Sequence, residues 1–148
     1  MKINFTKKQF RILLDLVYAG NWVINATAKT DDERSKDYDE LVNYIFSFCD
    51  KFGMFNFVEY DHNLEKYFET KEFEESGIMD YIESYDDYVF WDELGRRLAK
   101  RDVDKECSGK VDKSNYEKVL KRTFEVEEKY SNEFIKNGLE NVKVEFQE

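Results

Sequence analysis

Apolar residues recur along this chain at intervals of three and four, the spacing that gathers side chains on one face of an α-helix. Phe10, Leu13, Leu14, Val17, Tyr18 and Ile24 form one such series. Thr6-Lys7-Lys8-Gln9 stands before it with the spelling of a capping box, in which the Thr hydroxyl and the Gln side chain satisfy backbone amides reciprocally. The pattern predicts a helix over about residues 7–27. Leu16, Trp22 and Val23 extend the apolar stripe nearly all round, so this helix is expected to be central and buried on most sides.

Tyr38, Leu41, Val42, Ile45, Phe48, Cys49 and Phe52 repeat the helical spacing without omission. Thr30-Asp31-Asp32-Glu33 supplies a second capping-box spelling before them, and Gly53 suits a left-handed stop after them. Between residues 54 and 77 the periodicity loosens. Phe55, Phe57 and Tyr60 alternate like a short strand, residues 64–69 read as a short helix, and residues 72–75 as one more turn before Gly77. A helix resumes at Ile78, and the cap spelling of Ser84-Tyr85-Asp86-Asp87 predicts a bend near Tyr85. Phe90, Trp91, Leu94 and Leu98 then face inward on a helix reaching about residue 103. Ser114-Asn115-Tyr116-Glu117 is expected to cap the last long helix, which stops at Asn137-Gly138. Ile3 and Phe5 at one end, and Val142, Val144 and Phe146 at the other, alternate as half-buried strands do and offer a short pairing of the two termini. The expected fold is mainly α: one domain over residues 1–148, a compact bundle of four or five helices with that terminal β pairing as an optional addition.

Charge alters this picture more than composition does. The 148 residues carry a formal net charge of -10, but residues 31–93 alone hold twenty acidic and five basic side chains, a net of -15. Such acidity disfavours binding to a nucleic-acid backbone, whose affinity comes from Lys and Arg neutralising phosphates. Two Cys and one His are too few for a disulfide scaffold or a zinc finger. With 41% apolar residues, a folded core is expected rather than disorder. Lys2, Lys7, Lys8 and Arg11 before the apolar residues 12–24, with Ala26-Thr27-Ala28 after them, superficially match a secretory leader. Asp15 and Asn21 interrupt that stretch, which is also shorter than a membrane span, so a cytoplasmic protein with free thiols and no membrane association is expected.

Each candidate site has a plainer explanation beside it. His62 ends a Glu-x-x-His spelling from Glu59, but a dinuclear site of that kind needs a second such motif and more Glu residues. A loop or helix-capping role for His62 is the simpler reading. Cys49 falls on an apolar face and is expected to pack as a small hydrophobe, while Cys107 in a polar segment is expected to be the more exposed thiol. Arg96, Arg97, Lys100 and Arg101 form a basic cluster that could touch an anion, yet it suits the end of a helix and Glu93 stands four residues before Arg97.

Glu69/Glu72 or Glu72/Glu75, followed by Glu83/Asp86, resembles the paired Glu-x-x-Glu and Glu-x-x-Asp motifs with which all-α nucleotide pyrophosphatases hold magnesium against a triphosphate. Spacing of three residues does point carboxylates to one helical face, and hard oxygen ligands suit magnesium. The pairs here are closer together than in that family, and Gly77 interrupts the intervening helix. The leading expectation is instead a non-enzymatic acidic interaction or regulatory protein. Tyr81, Tyr85 and Tyr88 recur at i, i+4 and i+7 among Glu83, Asp86 and Asp87. Tyrosines give large contact area, and carboxylates around them attract a basic protein surface or imitate the charge of a nucleic acid. The magnesium-dependent enzyme, with Glu69, Glu72, Glu83 and Asp86 as ligands, is the alternative. A self-associating structural protein, and thus a homo-oligomer, is the third.

Overall fold

Helix α1 (Lys7–Asn25) starts where its capping box is spelled: the Gln9 amide donates to Thr6 Oγ1 at 3.2 Å, and the Thr6 amide donates to Gln9 Oε1 at 2.9 Å. The computed structural model describes residues 2–27, 33–108 and 111–144. It is mainly α with one short β pairing, and it divides into two compact units, Met1–Glu83 and Ser84–Glu148.

In the first unit, α1 packs on α2 (Glu33–Phe46). The second capping box, at residues 30–33, lies largely outside the described residues. Helix α2 stops earlier than expected, and a 3-10 turn (Asp50–Phe52) follows it. Gly53, with φ 66° and ψ 40°, closes that turn in the left-handed conformation that glycine adopts without a Cβ clash. Next come antiparallel strands β1 (Val58–Asp61) and β2 (Lys66–Glu69), with Tyr60 opposite Tyr67. The helix expected over residues 64–69 is therefore strand β2. Turn chemistry decided against it: Asp61 Oδ1 accepts from the Asn63 and Leu64 amides at 2.7 and 3.1 Å, and Glu65 takes φ 53°. Asn43 Oδ1 then accepts from the Tyr67 amide at 2.8 Å, tying the hairpin to α2.

The core of this unit takes Phe10, Leu14 and Tyr18 from α1, Phe46 and Cys49 from the region of α2, and Met54, Phe73, Ile78 and Ile82 from later in the chain. Phe73 is its aromatic centre, edge-on to Tyr18, Phe46 and Phe57 at ring distances of 5.3, 6.3 and 5.7 Å. The Arg11 guanidinium lies over Phe57 and Phe73, 4.9 and 5.0 Å from the ring centres, and bonds Asp15 and Ser76. Burial on α1 is narrower than its sequence suggests. Trp22 packs against the core, but Leu16 and Val23 are exposed. On α2, Tyr38 and Leu41 are exposed, Val42 and Ile45 are partly covered, and Phe46, absent from the expected series, is buried. The hairpin and the residues around Phe73 cover one side of the α1–α2 pair, so only the stripes facing them are enclosed.

Thr70 caps the short α3 (Lys71–Phe73), accepting from the Phe73 amide at 3.3 Å. A wide turn at Glu74–Ile78 follows, with Gly77 at φ 109°. Helix α4 (Met79–Glu106) then runs without interruption. The bend expected at Tyr85 is absent, because Ser84, Asp86 and Asp87 spell a cap yet are solvated inside a continuous helix.

The second unit pairs the later part of α4 with α5 (Tyr116–Asn137) around Ala99, Val103 and Val126, with Val119 and Tyr130 against them. Gly95 faces α5, where a Cβ would make ordinary contact at 3.8–3.9 Å with Ser131, Phe134 and Tyr130. Trp91, Leu94 and Leu98 are half-buried and Phe90 is exposed, because the contact stripe shifts toward Ala99 and Val103. Asn115, rather than Ser114, occupies the N-cap of α5; Ser114 Oγ instead donates to Asp112 Oδ1 at 2.6 Å. The helix ends at Asn137 with Gly138 as its C-cap, where the sequence predicts it. The expected pairing of termini is not found among the described residues. Residues 2–6 and 142–144 carry no strand and the two strands are β1 and β2, while Phe146 lies outside the described residues.

Candidate functional site

Helix α4 carries the acid-and-tyrosine segment. Tyr81, Tyr85 and Tyr88 are 78, 58 and 66% exposed, and Glu83, Asp86 and Asp87 are exposed as well. Each unit has its own groove beside a tyrosine of this series.

In the first unit a groove of about 740 Å³ runs beside Tyr81 and Asp80. Its apolar wall is the outward face of α1, Ile12 and Leu16, and its end is the turn at Gly77. In the second unit a groove of about 540 Å³ lies between α4 and α5. Tyr88 and Trp91 form one side, and Phe134 and Ile135 the other, with Ser84 and Ser131 at its margins. The Trp91 and Phe134 rings are 5.5 Å apart. The charged residues lining it are Asp87 and Asp92, and no Lys or Arg lines it. The Trp91 indole N–H donates to Asp87 Oδ1 at 3.0 Å, which holds that carboxylate at the lip. Asp87 and Tyr88 are the members of this groove that the sequence pointed to; Trp91, Asp92, Phe134 and Ile135 were missed. One signal was available: Asp87 and Trp91 stand one helical turn apart, a spacing at which an indole N–H can reach a carboxylate.

The other candidates fall elsewhere. His62 is exposed in the hairpin turn, edge-on to the Tyr60 ring at 5.1 Å. Among the described residues no group of three or more His, Cys, Asp or Glu side chains is placed to hold a metal ion. Of the carboxylates considered for magnesium, Glu69 lies in β2, Glu72 accepts from Asn56 Nδ2, and Glu83 and Asp86 are on α4. Cys49 is fully buried, and burial, with Asp50 adding to it, pushes its thiol up to about 11. Cys107 is half-buried in a cleft with Lys118, Lys121 and Arg122. No described helix is long and apolar enough to cross a membrane.

The basic cluster of α4 is ion-paired. Arg97 Nε donates to Glu93 Oε2 at 3.0 Å, Arg96 bonds the same carboxylate, and Lys100 stands 3.6 Å from Asp104. These two arginines hold the Glu93 carboxyl below its ordinary range. Arg101 Nε donates to Asp102 Oδ1 at 2.8 Å, and Tyr130 also donates to Asp102. Arg101 first and Tyr130 second depress the Asp102 carboxyl, and the bond to Asp102 raises the Tyr130 hydroxyl. A depressed carboxyl stabilises the fold above its unfolded value, about pH 4, and loses that contribution as pH falls through the folded value. Asp102→Asn is therefore expected to lower the melting temperature of the second unit at neutral pH, with the gap to wild type narrowing in acid. Melts from pH 7 downward check this, and a gap independent of pH would refute it.

No known protein family matches this chain, and no curated protein or solved structure does.

Proposed function

We propose that the chain is a cytoplasmic, acidic interaction protein that engages a basic protein surface through the tyrosine- and carboxylate-bearing segment of α4. One observation carries the reading: Tyr85 and Tyr88 stand exposed beside Asp86 and Asp87, and residues 84–93 contain no Lys or Arg. Tyr81 and Glu83 carry the same combination in the first unit. Carboxylates on an open surface steer a cationic partner and set its orientation, while the rings supply contact area once water leaves.

An NMR titration of the isotope-labelled full chain with a short peptide of alternating arginine and serine tests the proposal. Shifts are expected at residues 85–88, fading as ionic strength rises beyond about 0.15 M. Asp86→Asn combined with Asp87→Asn should weaken them. Absence of binding at low salt, or binding indifferent to salt, would overturn the reading. So would a magnesium-specific rise in melting temperature that Glu83→Gln abolishes, since a ligand held only by the folded chain stabilises it.

A further inference from the structure

We infer that the groove between α4 and α5 of the second unit seats a segment of the basic partner in which an arginine side chain stands next to an apolar one. The inference rests on the reading above and specifies the chemistry recognised. Aromatic faces and carboxylates together define a site for a flat organic cation. A guanidinium can lie against a ring while its edge donates to a carboxylate, whereas an ammonium has no plane to stack. Tyr88 and Trp91 supply rings, and Asp87 and Asp92 supply the acceptors.

Asp87 is partly preorganised. One of its oxygens already accepts from the Trp91 indole at 3.0 Å, and an ionised carboxylate retains further acceptor sites for an incoming donor. Holding the acceptor in place beforehand lowers the ordering cost of binding. Ile135 is 85% exposed on the opposite wall. An arginine alone leaves it wet, and an adjacent apolar side chain covers it. The charge sign is local to this end of the helix pair. The cleft at the other end is lined by Lys118, Lys121 and Arg122 as well as by Glu106 and Glu125, and there Arg122 grips Glu106 through two bonds of 2.8 and 2.9 Å and stands 3.5 Å from Glu125. A cationic segment is drawn to the Asp87–Asp92 end.

The test uses the labelled full chain with three short peptides: alternating arginine and leucine, lysine in place of arginine, and serine in place of leucine. The arginine–leucine peptide is expected to bind about tenfold more tightly than either analogue. It should shift the Trp91 indole signal together with Ser131 and Ile135. Asp92→Asn and Ile135→Ser, both solvent-facing and so compatible with folding, should each remove most of that advantage. Equal binding of the arginine–leucine and arginine–serine peptides, with shifts confined to Tyr85 and Asp86, would overturn the groove and leave the basic-partner reading standing. Failure of every peptide to bind would overturn both. Concentration-dependent shifts of the same groove signals without peptide would assign the groove to a second copy of the chain and overturn the inference.

Discussion

Phe73→Ala is expected to destabilise the first unit by about 3–5 kcal/mol, the range for removing a buried phenyl ring. Phe73 is 1% exposed and edge-on to three other rings. Its removal therefore leaves a cavity bounded by Tyr18, Phe46 and Phe57, and also strips the Arg11 guanidinium of one of its two aromatic contacts. Helix α3 spans only Lys71–Phe73, so little local structure remains to collapse into the space. Leu41→Ala makes the contrast. Leu41 belongs to a faultless helical series but is exposed, so its truncation should change stability by no more than about 0.5 kcal/mol. Urea unfolding of both variants, followed by helical circular dichroism, compares them. Equal losses would refute this account of the core.

In the folded chain a thiol reagent should modify Cys107 far ahead of Cys49, by on the order of a hundredfold or more. The thiolate is the reacting species, and a thiol pushed up to about 11 holds roughly a hundredfold less of it at neutral pH than an ordinary cysteine. Burial adds to this, since Cys49 meets the reagent only when the first unit opens. Cys107 is partly open to solvent. Peptide mass spectrometry after timed alkylation separates the two sites, and denatured chain should erase the difference. Comparable rates in the native chain would remove the contrast.

Helix existence followed from short-range signals, and so the capping box at Thr6 and the stop at Gly138 were readable in the sequence. Which faces are buried was not, because that depends on what packs opposite. Leu16 and Leu41 obey the helical period yet face solvent, while Phe46 leaves the expected series and is enclosed by Phe73 from a later element. Leu64, Lys66 and Tyr67 suit a helix as well as a strand, and the Asp61 side chain tips the choice to the hairpin through backbone bonds. At the candidate site, the interleaving of acids with Tyr85 and Tyr88 was visible as spacing along one helix. The groove beside them needs Phe134 and Ile135, whose nearness to Trp91 exists only once α5 folds back along α4.

The span of each core has a consequence for folding during synthesis. Ala99, Val103 and Val126 meet across a single helical hairpin, so the second unit closes mostly local contacts, the kind of topology that folds fast. The first unit joins Phe10 and Leu14 to Phe73, Ile78 and Ile82. Its amino-terminal helix must leave the ribosome and wait, its apolar stripe covered only in part by α2, while the intervening chain is made at about 5–20 residues per second. Through those seconds Phe10, Leu14 and Tyr18 are the surface on which a nascent-chain chaperone would act.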